Sequence, residues 1–267
     1  MVRQYQFCSF APARRDLTRV LRELRDACLS LEACVSRVAI PARAMTPARA
    51  PLTRQAEDYL KVIYEIERDG DAAATTAIAD RLGIAPASVS GMIHRLARQG
   101  LVAVERYRGA RLKAKGRRVA LQMIRRHRIL ESFLVTRLGY GWDGVHDEAE
   151  QMEHAASAEL IERMAAALGH PRIDPHGAPI PRADGTVDDT RLRTLNDLAV
   201  GGQARVARMS DRDPALLRYL GELGIRPGVA LRLVDRAPFD GPLTVAVGRE
   251  RHAVGVPVAV RIYMAGK

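Results

Sequence analysis

Apolar positions along the chain keep a helical period through its middle and switch to strand-like alternation towards its end. In TRQAEDYLKVIYEIERDG (53–70) they recur at helical spacing up to a glycine stop. TTAIADRLG (75–83) predicts a second helix, Gly83-Ile84-Ala85-Pro86 a tight turn, and APASVSGMIHRLARQG (85–100) a third helix. LVAVERYRGARLKAKG (101–116) holds two short β-prone runs around YRGA, which predicts a hairpin. A helix, a helix–turn–helix and a hairpin, in that order, make a winged helix-turn-helix.

Two long helical runs follow, 117–139 and 145–169, each with an apolar stripe wide enough to pack and to dimerise. The stretch 170–202 is rich in proline, glycine and aspartate and reads as a linker. Beyond it ARVARM, VALRLVDR, LTVAVGRERHAVG and PVAVRIYM alternate as short strands around the helical PALLRYLGELG, the pattern of a small barrel. The expected fold class is therefore mainly α with a β-rich C-terminal domain. Its parts are an N-terminal extension (1–44), a winged helix-turn-helix (45–116), a helical dimerisation domain (117–170), a linker (171–202) and the barrel (203–267).

Charge adds a partner to this picture. A net charge of +11 points to a polyanion, most often nucleic acid. The first 50 residues carry nine Lys/Arg against four Asp/Glu and all three cysteines, Cys8, Cys28 and Cys34, without CxxC spacing. RDLTRVLRELRDACLSLEACV could form an amphipathic helix there, but Met45 reads as the natural start of the folded unit, so the extension is expected to be dispensable. No apolar run approaches the ~18 residues of a membrane span, and no signal-peptide core opens the chain. The cytoplasm is the expected location.

The third helix opens with small residues, Ala85, Ala87, Ser88, Ser90 and Gly91. A helix entering a major groove needs such a slim N-terminal face, and its unpaired N–H groups can contact phosphate. Ser88 and Ser90 are candidates near base edges, or alternatively helix caps. Arg95 on the helix, with Arg106, Arg108 and Arg111 around Tyr107 on the wing, are candidates for phosphate contact.

The remaining chemistry is concentrated in DEAEQMEH (147–154). On a helix, His146, Glu150, Glu153 and His154 share one face, and His127 and Glu131 form an i, i+4 pair on the preceding helix. Carboxylates mixed with imidazoles suit a metal site. The alternative is a solvated helix surface on a winged-helix regulator controlled by another ligand. A metal-dependent hydrolase is the distant third reading: Glu150–His154 lacks the two histidines or the His-x-x-Glu-His order of metallopeptidases. There is no phosphate loop, nucleophile elbow or Cys/His dyad, so catalysis is not expected.

From Thr53 to Lys267 the chain resembles the diphtheria toxin repressor / manganese transport regulator family of metal-dependent transcriptional repressors. AEDYLKVIYEIE, IADRLGIAPASVSGMIHRLARQGLVAVERYRGARLKAKG, RRHRILESFL, VHDEAEQMEH and PHGAPIP carry the likeness. The resemblance implies an SH3-like (FeoA-like) C-terminal domain, operator DNA as partner and a homodimer formed through helices in 117–170. It also implies a primary metal site of Asp58, Glu150, Glu153 and His154. An ancillary site would comprise His127, Glu131 and His146, with Asp213, or its rival Asp211, added from the SH3-like domain. Iron-type members of the family place Met and Cys where this chain has Asp58 and Glu150. Carboxylates there favour a hard ion such as Mn²⁺, so an Mn²⁺-activated repressor of metal-homeostasis genes is expected, with an Fe²⁺-responsive member as the alternative. The chain also departs from short manganese regulators, which carry a glutamate at the position of Lys61.

Overall fold

Thr53 accepts a hydrogen bond from the Ala56 N–H at 3.3 Å and starts the first helix, α1 (Arg54–Asp69). Gly70, left-handed at φ 93°, ends it. The computed structural model describes residues 52–105, 109–188 and 190–266. The expected 1–44 extension and the wing residues Arg106, Tyr107 and Arg108 lie outside the described residues.

α2 (Thr75–Leu82) ends at Gly83, and Pro86 occupies the first turn of α3 (Pro86–Arg98). Proline is suited to that position because its missing N–H would be unpaired there anyway. α3 buries Val89, Met92, Ile93 and Leu96 and leaves Ser88, Ser90, Gly91, Arg95 and Arg98 outside. These apolar residues join Tyr59, Leu60, Ile63 and Ile66 of α1 in one core.

The wing is an antiparallel pair, β1 (Val102–Glu105) and β2 (Gly109–Leu112). Gly109 has φ 90°, and a Cβ there would stand 2.1 Å from the Ala73 carbonyl oxygen. Only glycine lets the wing approach the α1–α2 loop that closely, where the Ala110 N–H donates to Ala73 at 2.9 Å.

α4 (Ala114–Leu138) links the domains: Ala120, Leu121 and Ile124 belong to the DNA-binding core, while Ile129 and Leu130 belong to the next one. The run expected as one helix over 145–169 is two. α5 (Val145–Met152) stops with Glu153, and Ser157 accepts from Leu160 N–H at 3.1 Å to begin α6 (Ala158–Ala167). Glu153 and His154 thus sit at the end of a short helix and in the turn that follows.

The C-terminal domain is a six-stranded antiparallel sheet. Its strands are β3 (Arg193–Thr194), β4 (Gln203–Met209), β5 (Ala230–Arg236), β6 (Leu243–Val247), β7 (Glu250–Val254) and β8 (Ile262–Met264), in the order β3-β8-β4-β5-β6-β7. α7 (Pro214–Glu222) packs Leu216, Leu217 and Leu220 into its core. The first half of PVAVRIYM differs from expectation: Val256–Ala259 forms a helical turn, α8, with proline in its first turn, and only the second half is strand. The stretch expected as a linker differs too. Asp174, His176, Ala178 and Ile180 are buried, and Arg193–Thr194 pairs with β8. Among the described residues, no helix is long and apolar enough to cross a membrane.

Candidate metal centre

α1 sends Glu57, Asp58 and Lys61 towards the end of α5. His154 Nδ1 lies 2.9 Å from a Glu57 oxygen and Nε2 lies 2.8 Å from Asp58 Oδ1. With Nδ1–H donating to Glu57, Nε2 is the nitrogen left to face a cation. A carboxylate behind a histidine commonly fixes a metal-ligand tautomer in this way. Sequence reading passed over Glu57; its position beside Asp58 on the first helical turn is the only sequence signal for it. Asp58, Glu153 and His154 bring one donor atom each within 4.8 Å of one another. Burial raises the Asp58 carboxyl above its ordinary range, outweighing the His154 and Lys61 charges. Burial pushes the fully enclosed Glu153 the same way, but its hydrogen bond with His127 and the Lys61 charge prevail and lower it.

Glu150 is placed differently from the other three primary residues. Its half-exposed carboxylate lies 3.2 Å from Lys61 Nζ, 3.5 Å from His146 Nε2 and 3.8 Å from His127 Nδ1. It groups with His127 and Glu153 rather than with Asp58 and His154. Even so, Asp58, Lys61, His146, Glu150 and Asp211 line one cleft of about 470 Å³.

The expected ancillary residues converge on Glu131, which is fully buried. Its Oε1 stands 3.0 Å from His127 Nε2 and 3.3 Å from His146 Nδ1, and the two imidazoles are 3.0 Å apart. Burial opposes ionisation of Glu131, but the His127 charge and hydrogen bonds with His127 and His146 hold it well below the usual carboxylate range. Burial and Lys61 oppose a proton on His127, yet Glu131 and Glu153 push it up to about 10.

From the C-terminal domain it is Asp211 that joins His127, Glu131 and His146. Asp213 does not reach them. Its Oδ1 accepts from Ala215 N–H at 3.0 Å and Leu216 N–H at 3.1 Å as the N-cap of α7, and Oδ2 faces Arg261 at 3.4 Å. Aspartate directly before Pro214 carries this capping signal in the sequence. Neighbouring Arg212 pairs with Glu65 of α1 and fastens the Asp211 segment over the cleft.

Two further residues come from the stretch expected as linker. Asp174 Oδ1 accepts from the N–H groups of His176 and Ala178, each at 2.9 Å, and Oδ2 lies 3.4 Å from Arg128 Nε. This turn buries His176 completely and points Nε2–H at the Trp142 carbonyl, 2.6 Å away. The other nitrogen, Nδ1, then faces Glu131 Oε2 at 3.8 Å. Burial lowers and Glu131 raises the His176 pKa, to about 9 on balance. PHGAPIP marked this loop in the sequence without assigning it a role.

In the DNA-binding domain, Ser88, Ser90, Arg95 and Arg111 are exposed. Neither serine is the helix cap, since Ala85 occupies that position. Arg111 lies 3.7 Å from Glu105 across the wing, an exposed pair of little energetic weight.

Comparison with known proteins agrees with this arrangement of domains. Residues 51–110 match the model of the iron dependent repressor N-terminal DNA binding domain, 113–182 the iron dependent repressor metal binding and dimerisation domain, and 193–265 the FeoA domain. The chain is 31% identical over 211 residues to the iron-dependent repressor IdeR of Mycobacterium tuberculosis, covering 74% of this chain and 91% of that one. It is 36% identical over 197 residues to the diphtheria toxin repressor of Corynebacterium glutamicum, covering 69% and 85%. Among solved structures it is similar to a manganese-dependent transcriptional repressor in complex with manganese, at 44% identity and TM-score 0.75, covering 79% of this chain and 100% of that one. The chain belongs to the diphtheria toxin repressor family of metal-dependent, DNA-binding transcriptional repressors.

Proposed function

We propose that this repressor is activated by Mn²⁺ and binds operator DNA as a homodimer through helices within 117–170. The observation that carries the reading is the donor set of Asp58, Glu153 and His154. It contains only oxygen and nitrogen, and it joins the DNA-binding domain to the helix behind it. Hard carboxylates suit Mn²⁺ better than sulfur ligands would, and solved manganese-dependent repressors are among the similar structures. The iron-dependent relatives support Fe²⁺ as the second reading.

The fit of a cation rests on polar atoms left unmatched. Glu131 Oε2 and His176 Nδ1 are buried, face each other, and have no hydrogen-bond partner among the described residues. Burial leaves this carboxylate in need of positive charge, which a proton on His176 Nδ1 supplies without metal and a cation between the two would supply once that proton is lost. Asp58, Glu153 and His154, with Glu150 on the same cleft, would hold a primary ion. Glu131, His127, His146, Asp211 and His176 would supply the donors for a second. Bound divalent ions would supply the positive charge these carboxylates lack.

Asp58 is the α1 residue that would ligate the primary ion directly, beside Glu57 and Lys61, which touch the ion's other ligands. Drawing its carboxylate to Glu153 and His154 fixes the DNA-binding domain against α5 and restricts the spacing of the two recognition helices. Those helices must reach major-groove segments ~34 Å apart. Arg95 and Arg111 would position the protein on phosphates, while Ser88 and Ser90 would approach base edges. Gel-shift titration of an operator with Mn²⁺, Fe²⁺ and chelator tests the reading. Tight binding with Mn²⁺ that is lost on chelation supports it; DNA affinity indifferent to metal removes it.

A further inference from the structure

Between the two donor groups, His127, Glu150 and Glu153 form a third triad whose donor atoms lie within 4.8 Å of one another. A cation already touches all three. Lys61 Nζ stands 3.0 Å from both Glu153 oxygens, 3.2 Å from Glu150 Oε2 and 3.4 Å from His127 Nδ1. The Lys61 side chain is only 8% exposed. Lys61 follows Asp58 by three residues, so one face of α1 carries both a carboxylate and an ammonium into the cleft.

We propose that the Lys61 ammonium is a resident counter-cation that fills the third cation position of this cleft and limits each protomer to two divalent ions. The inference rests on the cleft being a metal centre. Charge balance supports it. Asp58, Glu131, Glu150, Glu153 and Asp211 bring five negative charges, which two divalent ions and one ammonium neutralise. Glu57, Glu65 and Asp174 stand outside this balance, beside His154, Arg81 and Arg212, and Arg128 respectively, and Asp147 on the cleft rim is exposed to solvent. The ammonium also explains how Glu150 and Glu153 share one small space without metal: each hydrogen-bonds to Nζ instead of facing the other unscreened. The same contact makes Lys61 a competitor, because an ion entering the primary group must draw on carboxylates that the ammonium already engages.

Equilibrium dialysis of the full chain against Mn²⁺, with bound metal counted per protomer, tests this on the wild type, Lys61→Gln, Lys61→Met and Lys61→Arg. Thermal melting reports whether each variant is folded. The wild type should saturate at two ions. A unit charge roughly 5 Å from a divalent ion weakens its binding by about tenfold even at the dielectric constant of water. Lys61→Gln and Lys61→Met should therefore bind Mn²⁺ at least about tenfold more tightly and accept a third ion in excess metal. Lys61→Arg, which keeps the charge, should follow the wild type. Unchanged or weaker binding in a folded neutral variant overturns the proposal, as does an arginine variant that behaves like the neutral ones. A wild type that saturates at one ion or at three overturns it without any variant. A wild type that binds no Mn²⁺ instead removes the metal-centre reading on which the inference stands, a separate and recognisable result.

Discussion

Filling the second centre at neutral pH is expected to expel a proton from His127, and the structure gives the size of the effect. His127 Nδ1 lies 2.7 Å from Glu153 Oε2 and Nε2 lies 3.0 Å from Glu131 Oε1. With a carboxylate at each ring nitrogen, the imidazolium is the favoured form, and the pKa is pushed up to about 10. A metal ligand must be the neutral ring. At pH 7, three units below that value, removing the proton costs about 4 kcal/mol. Proton and metal compete for the ring, so affinity at this centre should rise about tenfold per pH unit per proton from pH 7 towards 9. His176, pushed up to about 9, adds a second proton where it ligates. The metal-free protein should show the opposite trend. A raised histidine pKa stabilises the fold fully below the unfolded value of ~6.5, and that contribution is lost as pH climbs through the folded one. Calorimetric titration with Mn²⁺ in two buffers of different ionisation enthalpy counts the protons directly. Release of one to two protons at pH 7 is expected for the second ion; release near zero, with affinity flat between pH 7 and 9, would refute the reasoning.

Three further substitutions probe separate parts of the site. Asp58→Ala should abolish Mn²⁺-stimulated operator binding in a gel shift while leaving the far-UV circular dichroism spectrum unchanged, because the side chain lines the cleft rather than the core. The pair Asp211→Ala and Asp213→Ala separates ligand from cap. The first should lose the second ion in dialysis, whereas the second should keep both ions and lose ~1 kcal/mol of stability in urea titration. Arg95→Ala should weaken binding about equally across DNA sequences and lower the slope of log affinity against log salt by about one; a sequence-selective loss would instead place Arg95 on a base edge.

The order of domains was legible in the sequence because each part has its own period: helical over 53–100, a short β-prone hairpin, helical again over 117–169, and alternating beyond 203. The pairing of His127 with Glu131 was legible because i, i+4 spacing puts both on one helix face, whereas the grouping of Asp58 with Glu153 and His154 was implied only by the family resemblance, since they lie on different elements. What stayed hidden depends on where the backbone turns. A periodic run over 145–169 does not reveal that Ser157 starts a new helix, and so does not reveal that Glu153 and His154 occupy a helix end. Proline and glycine made 171–202 look like linker, although Asp174 satisfies two backbone N–H groups and lets the loop be buried with His176 inside it. Asp211 and Asp213 are told apart by the capping role of the aspartate before Pro214, a local signal present in the sequence. The role of Lys61 depends on three residues from two other helices, which no local pattern records.

The account depends most on one cation joining the DNA-binding domain to the turn after α5. A crystal structure grown with excess Mn²⁺, with the ion located by its anomalous scattering, tests this most directly. The account predicts an anomalous peak bonded to Asp58, Glu153 and His154. An empty cleft with Asp58 turned to solvent would contradict it.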